Sequence, residues 1–531
     1  MTNTDVLAAP KNWRIDGVAL VATLATLICA APALAVFGLA LTRADTGAEF
    51  GGDLLRDGAI GTVLLMLAGG GGAILFGAAA AWLVSLCRFP GRQLFEWMLV
   101  IPLAAPSYIL AYAYASLTWA GGVSPIPVSG FWGAAFVYAV GLYPYVYLAA
   151  RAAFASQSSC ALEAARTLGA KPGHVFWRVA LPLARPGIAA GGALAMMEIA
   201  ADYGAAHHFG LTTLSTAIFR AWYAHGAPSV ALQISAVLLL GAIVFLVLER
   251  QARGRASYAG ASTRWRPLPR YQLNPFASTA AIAFCVTLIA FGALLPLAWL
   301  ARLAVLHANV EDVAGPFVNS MLLSGAGAVV TLALAAAIAV AARRATGLGK
   351  ISLYAAAMGY AAPGAVIAMG ALALFGLGRE AGLVGGFGAG LALLALIWSY
   401  AARFASAGVQ PIDAGLARLS KGLDASARTL GAGPWRRFAQ IDLPIAAPSL
   451  AAAALILFVE ILKELPATLI LRPFDFDTLA VKAYSYASDE RLLEAATPAL
   501  LIFLAGLAPI LLLTRGIGEA RPGQRPQRAP Q

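Results

Sequence analysis

Apolar residues run along this chain in twelve long blocks, separated by short segments where Gly, Pro, Lys, Arg and acids collect. The blocks cover 17–41, 58–86, 94–118, 131–153, 187–204, 228–248, 277–300, 318–342, 351–377, 383–403, 449–465 and 495–514. A helix needs about 20 apolar residues to cross the hydrocarbon of a bilayer, and each block is near or above that length. Inside a membrane the backbone must satisfy its own hydrogen bonds, so each block is read as a helix. The pattern predicts an all-α polytopic protein with about twelve transmembrane helices.

Composition agrees. The chain is 60% hydrophobic and 12% charged, where a soluble protein carries about 25% charged residues. The net charge of +12 would also suit a nucleic-acid partner. With the N-terminus inside, however, most of the 37 Lys and Arg fall in inner segments: Lys11 and Arg14, Arg88 and Arg92, Arg151 to Arg185, Arg250 to Arg270, Arg343 to Lys350, Arg403 to Arg437, and Arg515 onward. That is the positive-inside bias of a multi-pass membrane protein, and it places both termini in the cytoplasm. The basic charge then faces membrane lipid rather than nucleic acid.

Ala33-Leu34-Ala35 could mimic a signal-peptidase site, but the apolar run is too long for a usual leader, so it is kept as a span. The Gly69–Gly72 run lies within an apolar block, which favours close helix packing over a phosphate cradle. Cys29, Cys87, Cys160 and Cys285 show no metal-ligand spacing, and no disulfide scaffold is expected.

The chain repeats internally. Ala-Arg-Thr-Leu-Gly-Ala occurs at 165–170 and again at 427–432, and a Leu-Pro-x3-Pro tail follows each copy in the same register, at Leu181, Pro182, Pro186 and at Leu443, Pro444, Pro448. Two matched copies make the chain a tandem repeat. Each copy reads as a short helix, a turn at Gly169 or Gly431, and a second short helix starting near Pro172 or Pro434. The expected organisation is a first half, 1–248, with its loop at 156–186; a basic cytoplasmic linker, 249–276; a second half, 277–515, with its loop at 404–448; and a cytoplasmic tail, 516–531. Six spans per half give both halves the same orientation, related by an axis along the membrane normal.

The two loops resemble the cytoplasmic EAA loop of binding-protein-dependent ABC importer permeases. The first matches at Glu163, Ala164, Ala165, Gly169, Val179, Leu181 and Pro182; the second at Gly431, Leu443 and Pro444, with Ala425 in the Glu position and the acid, Asp424, one residue earlier. The resemblance implies two tandem six-helix permease domains of the MetI-like type, in which these residues couple to two cytoplasmic ABC ATPase subunits. A phosphate-binding Gly-x4-Gly-Lys-Ser/Thr motif is absent, so no cofactor is expected on this chain and ATP would be bound and hydrolysed by the partners. Enzymatic activity is not expected, and catalytic and metal-binding residues are read as none.

Further chemistry lies beyond the loops. Glu198 and Asp202 sit four apart, as do Glu460 and Glu464, at the same 262-residue offset, with Lys463 between the second pair. That spacing puts both acids of a pair on one helix face. Intramembrane charges usually face a cavity or a partner, so these residues, with Pro106 and Pro363 inside their spans, are candidates to line a route for a cation. The alternatives are structural ion pairs, helix ends at the outer surface, and simple kinks. The outer segments also correspond, Thr216 to Trp222 with Thr478 to Tyr484, so that Arg220 matches Lys482; His207, His208 and His225 fit no compact metal motif and are read as surface residues. Glu198 to Gly204, Phe219 to Trp222, Lys463 to Leu469 and the stretch from Arg472 to Val481 look like the fused, two-lobed ferric-iron permeases of bacteria. This implies an inner-membrane channel subunit fed by a periplasmic solute-binding protein. Thiamine, polyamine and phosphonate permeases share the architecture, and a proton-coupled secondary transporter is the rival from another class.

Overall fold

The computed structural model describes residues 17–42, 48–119, 127–155, 157, 167, 172–253, 270–307, 310–344, 362–382, 385, 388–416, 426–427 and 429–519. The protein is an all-α polytopic membrane protein. Among the described residues ten helices are long and apolar enough to span a bilayer, and a bent pair, Arg92–Ala104 with Ser107–Thr118, would make an eleventh. The expected block at 351–377 begins outside the described residues, and Gly364–Glu380 is its described part.

Two bundles of three helices form the frame. Gly130–Ala155 packs along Gly71–Leu86 and along Leu181–Ala201; Ala389–Leu416 packs in the same way along Val310–Arg344 and Leu443–Leu462. Small residues allow the close approach. The Gly69–Gly72 run presses on Gly130–Ala155 and on Met196: a Cβ at Gly69 would lie 2.9 Å from the Tyr138 Cβ, and one at Gly70 2.7 Å from the Met196 Cγ. Gly191 is tighter, because its Cβ would meet the Val146 Cα at 2.6 Å and the Tyr145 carbonyl oxygen at 2.8 Å. Backbone cannot retreat as a side chain can, so Gly191→Leu is expected to cost at least about 1–3 kcal/mol. It should lower the thermal midpoint of the detergent-solubilised protein, and an unchanged midpoint would count against this packing.

The leading helices cross over. Gly17–Thr42 packs on Gly364–Glu380, Val310–Arg344 and Ala389–Leu416. The Trp398 indole N–H donates to the Ile28 carbonyl at 2.8 Å, and Gly370 touches the Pro32 backbone. In the other direction, the chain at Pro275–Leu306 packs on the early part of the molecule. The Tyr114 hydroxyl donates to the Phe291 carbonyl, and the Trp299 indole donates to the Ser116 hydroxyl at 3.0 Å. The exchange is repeated by Pro228–Arg253, which lies against Gly364–Glu380, and by Leu492–Glu519, which lies against Ser107–Trp119.

Three expectations change. The block 94–118 is not one straight span, for it bends by 89° at Pro106. Proline drives its predecessor out of the helical region, and Ala105 is extended at φ −95°, ψ 123°. Pro106 then opens the next helix, accepting from the N–H groups of Ile109 and Leu110, as Pro363 does from Val366 and Ile367. Second, the second helix of each loop is not a separate short one. Pro172–Val175 runs through a π-turn at Phe176–Ala180 into Leu181–Ala201, and Pro434–Arg437 through a π-turn at Phe438–Asp442 into Leu443–Leu462. Pro182 and Pro444 lack an N–H and would crowd the carbonyl four residues back; the wider turn ahead of each relieves that crowding. Third, Arg403 does not lie in an inner loop: it sits within Ala389–Leu416, which continues for thirteen residues beyond it.

Candidate functional site

Leu181–Ala201 carries Glu198 near its end, and Leu443–Leu462 carries Glu460 at the matching place. Four residues later both chains turn. At Asp202 the backbone is extended, and the carboxylate accepts from the Ala205 N–H at 3.1 Å. The Glu464 carboxylate accepts from the Ala467 N–H, also at 3.1 Å. Each therefore caps the short helix that follows, Gly204–His208 or Pro466–Leu471, satisfying an N–H that has no partner within the helix.

These acids converge. One cavity of about 80 Å³ is lined by Glu198, Asp202, Glu460, Lys463 and Glu464, with Pro106 and Arg403. The bend at Pro106 brings that span's broken end to the cavity. Pro363 does not line it, but its neighbour Gly364 packs directly on the Arg403 and Glu464 side chains, where a Cβ would collide with both.

The charges are distributed unequally. Glu464 is buried and ion-paired with Arg403; Glu460 is paired with Lys463 at 2.7 Å. At the offset of 262, the residues matching Arg403 and Lys463 are Gly141 and Ala201, which also line the cavity but carry no charge. Glu198 and Asp202 consequently form no salt bridge among the described residues, although the Arg403 and Lys463 charges act on Glu198 across the cavity, and the lining totals four acids against two bases. Burial disfavours a carboxylate charge that no salt bridge compensates, so the Glu198 side of the cavity favours either a cation or a proton.

A second cavity of about 520 Å³ opens beyond the first, at the end of the molecule away from the repeated loops. The Tyr203 and Tyr484 hydroxyls meet at 2.7 Å, joining the two bundles, and the Tyr223 hydroxyl donates to the Leu469 carbonyl at 2.7 Å. His207 lies against both Tyr203 and Tyr484. Burial pushes its imidazole below the ordinary histidine range, with the Arg220 charge adding to the effect, and burial pushes His208 down to about 4. Both rings are thus neutral at pH 7; of the two arginines on the wall, Arg472 is ion-paired with Asp477 and Arg220 is hydrogen-bonded to the Thr212 hydroxyl. His208 packs edge-on to Tyr112, so it is not the plain surface residue expected of it.

The basic residues Arg220 and Lys482 do not occupy equivalent places. The helix Leu214–Phe219 is capped by Thr213, and Leu479–Ser488 by Thr478. The caps shift the correspondence by three residues: Arg220 is seven residues after its cap and Lys482 four, over the Tyr486 ring.

Of the loop residues, Leu181 and Pro182 and Leu443 and Pro444 mark the two π-turn junctions. Gly431 sits at φ 75°, a conformation that favours glycine, and Leu430 beside it is 85% exposed. Glu163, Ala164, Ala165, Gly169, Asp424 and Ala425 lie outside the described residues. Sequence reasoning missed Arg403, Gly364 and the Tyr203–Tyr484 contact. A single Arg followed by more apolar residues, Phe404, Ala405 and Ala407, was the available signal for the first.

Comparison with known proteins agrees with this architecture. Residues 73–257 match the model of the family described as binding-protein-dependent transport system inner membrane component. The chain is 26% identical over 464 residues to the Fe(3+)-transport system permease protein FbpB 2 of Haemophilus influenzae, covering 86% of this chain and 88% of that one. It is 31% identical to the molybdenum transport system permease protein ModB of Escherichia coli, over 39% of this chain and 99% of the relative. The sulfate transport system permease protein CysW of Synechocystis is 27% identical over 47% of this chain and 96% of its own. A helical frame of bundles around a charged cavity, together with a 31% identical match over 99% of the ModB permease, places this chain in the family of binding-protein-dependent transport system inner membrane components, multi-pass transport proteins of the inner membrane.

Proposed function

We propose that this protein is the permease of an ATP-driven importer of ferric iron, and that the ion passes from the vestibule at Tyr203 and Tyr484 through the cavity at Glu198. The observation that carries the choice of ion is the surplus of carboxylate in a cavity of about 80 Å³. Organic ligands need pockets of about 300 Å³ or more, which disfavours thiamine, polyamine and phosphonate. An acid-lined wall disfavours oxyanions such as molybdate and sulfate. A relative matched over 86% of this chain and 88% of its own length is named for Fe(3+) transport.

In this reading the chain comprises two permease halves, 1–248 and 277–515, joined by the linker 249–276, with both termini in the cytoplasm. A periplasmic solute-binding protein delivers iron at the vestibule. Two cytoplasmic ATPase subunits dock on the loops at 156–186 and 404–448, where exposed Leu430 and Trp177 offer apolar contact. Their closure on ATP draws the loops together and rocks the helices that continue from them, so that the cavity opens to alternate sides. This chain binds no nucleotide itself.

The test is uptake into proteoliposomes containing the permease, its ATPase and its binding protein. Iron should accumulate only with ATP, and molybdate and sulfate should not accumulate. Uptake of either oxyanion, or iron uptake without ATP, would overturn the reading. Replacing Gly431 in the same assay probes the coupling. Gly431→Val forces a β-branched residue to positive φ, which costs about 1–3 kcal/mol locally. Insertion should persist while ATP-driven uptake falls severalfold; full uptake by that variant would remove Gly431 from the coupling path.

A further inference from the structure

A basic pocket outside the transport route remains unused. Leu86 ends one span, and Cys87-Arg88 pairs in parallel with Tyr271-Gln272, just before the span that starts at Pro275. Pro90-Gly91 then reverses the chain, with Gly91 at φ 73°, into the helix Arg92–Met98. The result is a pocket of about 350 Å³ lined by Arg88, Arg92, Arg270, Gln93, Gly91 and Phe89. It has three guanidinium groups and no acid on its wall. Arg92 is held by the Val84 carbonyl at 2.9 Å and by Glu96 behind it. Arg88 and Arg270 are exposed, and Arg88 has no acidic partner among the described residues.

Three guanidinium groups with a side-chain amide fit the tetrahedral oxygens of a phosphate, which arginine binds with paired N–H donors. Position separates the two sources of that chemistry. Arg88 is two residues past a span's end and Arg270 five before the next span's start, so the pocket lies at headgroup depth. Exposed apolar side chains stand next to it in the chain: Leu94 is 60% and Phe276 84% exposed. We propose that this pocket binds the phosphate of an anionic phospholipid, and so ties the beginning of the later part of the chain to the earlier part through a lipid. Basic pockets between membrane helices are suited to such headgroups. Assignment to the inner leaflet rests on the proposed orientation; the pocket's chemistry does not.

The purified full chain would be delipidated in detergent, then supplied with phosphatidylglycerol, phosphatidylcholine or inorganic phosphate. Thermal unfolding and native mass spectrometry would be read. Phosphatidylglycerol should raise the midpoint above that in phosphatidylcholine and remain bound. Arg88→Gln with Arg270→Gln should weaken its retention about tenfold or more, as loss of charge-assisted hydrogen bonds predicts. Gln93→Glu, an exposed change with little risk to folding, should weaken retention in the same direction. Equal protection by inorganic phosphate would replace the lipid with free phosphate and overturn the lipid assignment. Equal midpoints in the two lipids, or retention unaffected by both variants, would overturn the site. Iron uptake is not part of the readout, so this result and the transport reading stand or fall separately.

Discussion

Arg403→Met should leave little folded protein. It strands the Glu464 carboxylate, which is 5% exposed, among apolar helices. Removing one partner of a buried ion pair costs about 3–5 kcal/mol, because the remaining charge has no compensation. The double variant Arg403→Met with Glu464→Gln should recover most of the loss, since the neutral amide keeps an acceptor oxygen for the Ala467 N–H. The measurement is a double-mutant cycle of thermal midpoints in detergent, which isolates the coupling. Gly364→Leu should mimic the single variant without touching a charge, because its side chain would occupy the space of the pair. Additive effects of the two charge changes would show that Arg403 and Glu464 do not depend on each other.

The second large effect is expected on transport rather than on folding. Glu198→Gln removes a carboxylate that forms no salt bridge among the described residues, so the thermal midpoint should change little while ATP-driven iron uptake falls about tenfold or more, as one lost charge interaction in a confined site allows. Glu460→Gln supplies the control. It frees Lys463 and makes the cavity more positive on its far side, and should lower stability as well as uptake. If the two variants behave alike, the inequality between the two acid pairs has no bearing on ion passage. A pH profile adds a check on the vestibule. His208, pushed down to about 4 by burial, is neutral throughout pH 5–8, so His208→Gln should leave the shape of the profile over that range unchanged.

Much of this was legible in the sequence because membrane solvation is a strong constraint. Apolar length alone located the helices, and the 262-residue offset paired Glu198 with Glu460 and Asp202 with Glu464 before any geometry was known. The capping role of Asp202 and Glu464 was open, since an acid four residues after another reads equally as a lining residue. The structure gives each both positions, with one oxygen on the following helix and the side chain on the cavity wall. Arg403 was misplaced for a physical reason. Counting basic residues as inner-loop markers assumes that charge avoids the span, and a buried partner 61 residues away in the chain cannot be seen from local pattern. The break at Pro106 was visible as a proline, but its angle depends on the packing of Leu492–Glu519, whose Gly506 touches the Ala104 backbone. The three-residue shift between Arg220 and Lys482 was hidden because nearly one helical turn preserves the apolar spacing.

The crossing of the leading helices bears on biosynthesis. Gly17–Thr42 is synthesised well ahead of the surfaces it finally rests on, for Gly364–Glu380 and Ala389–Leu416 are made more than three hundred residues later. In the interval it must wait in lipid, with Leu20, Leu24 and Leu27 still half exposed even in the finished protein. Maturation is thereby deferred until those later helices have been made, and a product truncated before them would lack the docking face for Gly17–Thr42. Synthesis as a single polypeptide keeps the waiting helix and its late-made seat at high effective concentration, which two separately translated subunits would have to achieve by diffusion.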